Sequence, residues 1–146
     1  ENLQKLFNLM SIYGIGVAIV MTFFSRIIVE LLFGAAYAPT ATVLTIHIWA
    51  GVFVALGVAS ETWLIAENLQ KYSLYRTLNG SFANVALNIF LIPKFGINGA
   101  AIATILSYGI SVFSIGFNAN CRVIFFMMCR SINPLRFGEN QCLKKL

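Results

Sequence analysis

Arg76, Gly80, Asn84 and Asn88 recur every four positions, with Ser73, Thr77 and Ser81 beside them. Four-residue spacing stacks side chains on one helical face, so a helix over this stretch carries a polar stripe. Thr104, Ser107, Ser111, Ser114 and Asn118 form a second row at spacings of three and four, ending near Arg122. An amide donates and accepts at once, and a guanidinium presents a fork of donors that suits a planar anion. This is binding chemistry. Bond-breaking chemistry has no comparable set of residues. The chain has no Asp, one His, no Gly-rich phosphate loop and no His, Cys or carboxylate cluster at metal spacing, so no enzyme, metal site or cofactor is expected.

Two further titratable residues stand apart from the rows. His47 and Glu61 lie fourteen positions from each other, near one helical face but separated by roughly 21 Å of rise. Histidine titrates near neutral pH and a carboxylate in a membrane cavity can hold a proton, so either suits a proton- or ion-coupled cycle. Ordinary placement near the membrane boundary suits them better. Arg26 and Glu30, four apart, read as a local salt bridge. Cys121, Cys129 and Cys142 suggest neither a disulfide framework nor a zinc site. Trp49 and Trp63 bracket an apolar run and read as aromatic-belt residues.

The elements that must position these groups follow from composition. The 146 residues are 59% hydrophobic and only 10% charged, with a mean hydropathy of +0.82, against roughly 25% charged in soluble domains. A membrane protein is the expected class. Spanning hydrocarbon takes about 20 mostly apolar residues in a helix, because each backbone amide must find its partner within the segment. Four runs qualify, over about 6–33, 40–66, 73–93 and 97–121 or slightly beyond. Their links are short, which implies antiparallel neighbours. The expectation is an all-α, polytopic membrane protein with four helices as two hairpins in a domain over 1–128, followed by a basic cytoplasmic tail over 129–146. The chain starts at Glu1 and has no basic, apolar and cleavage regions in signal-peptide order, so it reads as a piece of a longer protein.

Charge orients the hairpins. With the N-terminus cytoplasmic, Lys5, Lys71, Arg76, Arg122, Arg130, Arg136, Lys144 and Lys145 fall on that side, against Arg26 and Lys94 on the other. The net charge of +5 is thus a topology signal, and no nucleic-acid partner is expected. In the link "PKFG", Pro93 biases Ile92 away from helix and Gly96 permits a turn. Gly99, Ala100, Ala101 and Ala103 then offer a slim face for close helix approach. The stretches "FGAAYAPTATVL" and "FGINGAAIATIL" match at Phe, Gly, two Ala, Thr and Leu at an offset of 62, from Phe33 and from Phe95. Each opens the second helix of a hairpin, as in a degenerate parallel repeat.

The stretch "LNIFLIPKFGINGAAIATILSYG", preceded by "LLFGAAYAPTATVLTIHIWA" and "WLIAENLQKYSLYRTLNG", resembles the C-terminal part of a bacterial polysaccharide flippase. That family comprises the Wzx-type O-antigen and lipid-linked oligosaccharide translocases, within the superfamily that also holds the multidrug and toxic compound extrusion transporters. The pattern from Asn88 to Thr104 carries most of the likeness, which runs from about Phe7 to Met128 and leaves the tail unmatched. The family's members have more spans, so this chain would supply the last four.

The resemblance implies alternating access that moves undecaprenyl-pyrophosphate-linked oligosaccharide across the bacterial inner membrane. Its implied partners are the lipid-linked oligosaccharide, membrane lipids, the preceding helices, a polysaccharide polymerase and a chain-length regulator. On that reading Asn84, Asn88, Ser107, Ser111 and Asn118 line a cavity and meet sugar hydroxyls, while Arg76 and Arg122 attract pyrophosphate. A plainer reading assigns the amides and hydroxyls to helix packing, Arg76 to headgroup snorkelling and Arg122 to anchoring. Two alternatives stand beside the flippase. An ion-coupled drug exporter of the same superfamily would want acidic cavity residues, and a glycan polymerase or ligase would want a large outward loop.

Overall fold

The computed structural model describes residues 2–132 and, among these, contains helices and no strand. α1 spans Asn2–Phe33, α2 Ala38–His47, α3 Ala50–Ala66, α4 Gln70–Ser114 and α5 Arg122–Ile132, with short 3-10 turns at Ala35–Tyr37, Ile115–Phe117 and Ala119–Cys121. α2 and α3 form a single traverse. Between them the hydrogen bonds tighten to an i+3 pattern, Trp49 N to Ile46 O at 3.3 Å and Gly51 N to Ile48 O at 2.9 Å, so the backbone stays paired through the kink. Trp49 consequently sits at this kink, well inside the span, and not at its boundary.

α4 is 45 residues long but does not run straight. The Ser111 hydroxyl donates to the Arg76 carbonyl at 3.0 Å, whereas 35 residues of straight helix would put them about 52 Å apart. The reversal is at Gly96, with φ 58° and ψ −136°. It divides α4 into a first limb over 70–95 and a second over 97–114. The expectation that the third span stops at Pro93 is corrected here. Helix continues through Pro93 to the glycine, because a proline in the last turn forfeits a single amide bond while only glycine accepts the reversing dihedrals.

Each tight reversal therefore carries one left-handed residue: Gly34 at φ 87°, Asn68 at φ 55° and Gly96 at φ 58°. Gly34 and Gly96 occupy matching places in the two similar stretches, so the repeat seen in sequence is at least a repeated turn. The result is four membrane-crossing segments in two hairpins. Their helices leave large apolar side chains bare, among them Phe23, Leu31, Phe82 and Ile97 at 77%, 82%, 74% and 69% exposure. Apolar side chains this exposed on long apolar helices face lipid.

Small residues bring the helices together. A Cβ on Gly14 would lie 3.0 Å from the Val52 Cα, so α1 and α3 touch backbone to backbone. Gly99, Ala101 and Ala103 are buried as expected, and a Cβ on Gly99 would fall 2.3 Å from the Leu91 carbonyl oxygen. Ser25 and Thr45 join α1 to α2 through a 2.6 Å hydroxyl contact, and Arg26 pairs with Glu30 at 2.8 Å on the exposed side of α1.

The end of the chain differs from the sequence expectation. The second limb stops at Ser114, Asn118 is extended (φ −94°, ψ 126°), and α5 begins at Arg122. α5 folds back on α1, with Gln4 Nε2 donating to the Met127 carbonyl at 3.2 Å. Ile124 and Met128 join Phe7, Leu56, Leu64, Val112 and Ile115 in the main apolar cluster. The expected domain boundary at 128 thus falls inside a docked helix. Most of the expected tail, with Arg136, Cys142, Lys144 and Lys145, lies outside the described residues.

Two outcomes check this fold. Cysteines at Asn84→Cys and Ser107→Cys should cross-link under mild oxidation in membranes, whereas a continuous α4 would hold them about 34 Å apart. Gly80→Ala should lower thermal stability in detergent by about 1–3 kcal/mol, because its Cβ would meet the Ser111 Cβ at 2.6 Å. Gly16→Ala, with no atom within 4 Å of the new methyl, should leave stability unchanged or slightly raised.

Candidate functional site

The most polar constellation within the bundle forms where α3 meets the two limbs of α4. Arg76 on the first limb points inward to α3, its side chain only 11% exposed. Nη2 reaches Glu61 Oε2 at 3.0 Å, and Nη1 donates to the Gly57 carbonyl at 3.3 Å and to the Ser60 hydroxyl. Ser60 in turn donates to the same carbonyl at 2.8 Å. The Ser73 hydroxyl donates to Glu61 Oε2 at 2.6 Å, so one carboxylate oxygen holds both a guanidinium and a hydroxyl. Snorkelling is therefore not what Arg76 does in this structure. The guanidinium lies close over Gly57, where an added Cβ would sit 3.9 Å from Nη1, in ordinary contact.

Farther along the hairpin, polar contacts run between the limbs. Asn84 Nδ2 donates to the Ser107 hydroxyl at 3.0 Å, and that hydroxyl donates to the Thr104 carbonyl at 2.9 Å. Asn88 Nδ2 donates to Asn84 Oδ1 at 2.9 Å. The side-chain oxygens of Asn88 and Asn98 are enclosed and accept nothing among the described residues. Thr77 and Ser81 stay on the exposed side, and Ser81 satisfies itself on the Thr77 carbonyl at 3.0 Å.

An open-sided cavity of about 620 Å³ lies between α3 and the hairpin, with Glu61, Arg76, Asn84, Ser107 and Ser111 on its wall. Its volume falls in the range of small-molecule sites, roughly 300–1,000 Å³. Its chemistry is one paired cation with amide and hydroxyl groups set in aliphatic walls. Five of the nine residues expected at a site thus converge, four for substrate and Glu61 for coupling. Asn88 sits one turn beyond the wall. Asn118 is in the extended link after the second limb, Arg122 is exposed at the start of α5, and His47 is exposed at the end of α2, so none of these three reaches the cavity.

The Arg76–Glu61 pair was not foreseen, yet the chain carried a signal for it. In a tight antiparallel hairpin, positions equidistant from the turn face each other. Glu61 and Arg76 lie seven residues before and eight after Asn68, which forms the α3–α4 turn. The same mirror rule about Gly96 sets Asn84, twelve before, opposite Ser107, eleven after, and Gly80 opposite Ser111.

The chain is 34% identical over 118 residues to an uncharacterized membrane protein of Methanocaldococcus jannaschii. The match takes in 78% of this chain and 23% of that protein, so the chain spans about a quarter of its relative's length. No family model matches the sequence, and no solved structure matches it. With three helices long and apolar enough to cross a membrane, the last of them reversing at Gly96, and a likeness to a membrane protein, the chain is a multi-pass membrane protein.

Proposed function

We propose that the chain is the C-terminal part of a transporter that moves a lipid-linked oligosaccharide with an anionic pyrophosphate across a bacterial inner membrane by alternating access. The carrying observation is the Arg76–Glu61 pair, with the guanidinium enclosed and the carboxylate half-buried, on the wall of a polar-lined cavity. Removing two charges from water is costly, and a well-packed apolar pair in their place is often as stable or more so. An ionisable pair inside a membrane bundle therefore points to a task other than adhesion. A guanidinium suits a phosphoryl group, which it grips through two parallel hydrogen bonds.

In this reading the cargo phosphate exchanges with Glu61 for Arg76. Ser73 keeps the released carboxylate oriented, because its hydroxyl already bonds the same oxygen. Asn84, Ser107 and Ser111 offer amide and hydroxyl groups to sugar hydroxyls along the cavity. The exporter alternative wants a free acid in the cavity, and Glu61 is instead committed to Arg76 and Ser73. The polymerase alternative wants a large loop, and the reversals at Gly34 and Gly96 are short. Orientation follows charge: Lys5, Lys71, Arg122 and Arg130 cluster at the end where α1 begins, against Arg26 and Lys94 at the other. By the positive-inside rule that end faces the cytoplasm in this reading, and the C-terminus is proposed to lie there too.

Arg76→Gln in the full-length protein should reduce surface display of the glycan by at least about tenfold, the scale of one lost charge-assisted hydrogen bond, at unchanged membrane abundance. Since the single variant leaves the half-buried Glu61 carboxylate without its cation, Arg76→Gln with Glu61→Gln provides a second arm that restores neutrality and should transport no better. Normal glycan display in either variant, with protein present, would rule out Arg76 as a cargo contact.

A further inference from the structure

α5 is too short to cross a bilayer, having 11 residues where about 20 are needed. One side is already used: Ile124, Met128 and Ser131 are buried against the rest of the bundle. The opposite side is more open: Arg122 and Phe126 are exposed and Arg130 is half-buried. Arg122, Phe126 and Arg130 follow one another at four-residue spacing, so they stack in one row along the helix. Val123 and Cys129 flank that row, and both are exposed. Phe126 is 67% exposed and Phe117, in the 3-10 turn just before α5, is 91% exposed. Neither arginine has an ion pair or hydrogen bond among the described residues.

Position narrows the occupant. α5 packs on the first turns of α1, through Gln4 and Phe7, and on the Ile115–Phe117 turn that ends the second limb. It therefore sits where the spans leave the hydrocarbon, at headgroup depth. A row reading cation, aromatic, cation at that depth fits a lipid surface better than water or a protein core. The ring enters the acyl boundary while the guanidinia, about 12 Å apart along the helix, stay with phosphates.

We propose that α5 is an interfacial helix that holds anionic lipid headgroups at this end of the bundle through Arg122 and Arg130, with Phe126 and Phe117 inserted beside them. The site is separate from the Arg76 cavity and does not depend on what the protein transports.

The test uses the full chain reconstituted in bilayers, with spin-labelled phosphatidylglycerol and phosphatidylcholine as probes. Preference for phosphatidylglycerol should fall by about fivefold for each of Arg122→Gln and Arg130→Gln, and should shrink with added salt in the unchanged protein. Arg26→Gln, at the other end, should not affect it. A nitroxide on Cys129, in a Cys142→Ser background, should collide with oxygen more than with a water-soluble nickel reagent. Unchanged lipid preference in the Arg122→Gln, Arg130→Gln double variant would overturn the proposal. So would a Cys129 label shielded from both reagents, which would mean that protein covers this face, or one open mainly to the aqueous reagent.

Discussion

An arginine that turns inward from a lipid-facing helix needs a counter-ion, and in this protein that requirement organises the bundle. Arg76 is satisfied only if α3 offers Glu61, Ser60 and the Gly57 carbonyl at the same depth. That alignment fixes how far α3 and the first limb of α4 slide past each other. Of the two partners Arg76 depends on the pairing more, because its side chain is 11% exposed against 34% for Glu61. The register of this hairpin is therefore set by electrostatics, where a coat of aliphatic side chains alone would permit several.

Three residues make that alignment reachable. Gly34, Asn68 and Gly96 adopt left-handed dihedrals, which let helices reverse within a few residues and return alongside themselves. Short reversals convert position in sequence into position in depth. Equidistance from Asn68 brings Glu61 to Arg76, and equidistance from Gly96 brings Asn84 to Ser107 and Gly80 to Ser111. Glycine at 80 then does what no larger residue could, since the limbs meet there at a distance too short for a methyl group.

The same geometry leaves the cavity. Polar residues in hydrocarbon pair with each other wherever they can, and small side chains where they meet make room for this. Between α3 and the hairpin the pairing leaves an opening, with Arg76 and Asn84 on its wall and aliphatic residues around them. The apolar cluster that includes Phe7, Leu64 and Ile124 closes the bundle at the end where α5 docks, so the opening lies deeper than the lipid surface at that end. The proposed cargo site and the proposed lipid site thus occupy different depths of one small bundle.

Much of this was legible in the chain alone. Hydropathy and length dictated helices in lipid, because a backbone without water must pair within its own segment. Turn chemistry marked the reversals at Gly34 and Gly96, and four-residue spacing put Arg76, Gly80 and Asn84 on one face. Spacing within a helix says nothing about what stands across from it. Only the folded hairpins decided that Arg76 faces Glu61 and not the headgroups, that Asn84 meets Ser107, and that His47, Asn118 and Arg122 lie away from the cavity. Tertiary contacts likewise decided that the chain after Ser114 breaks and folds back as α5. Burial of Ile124 and Met128 against α1 is a long-range gain that no local pattern records.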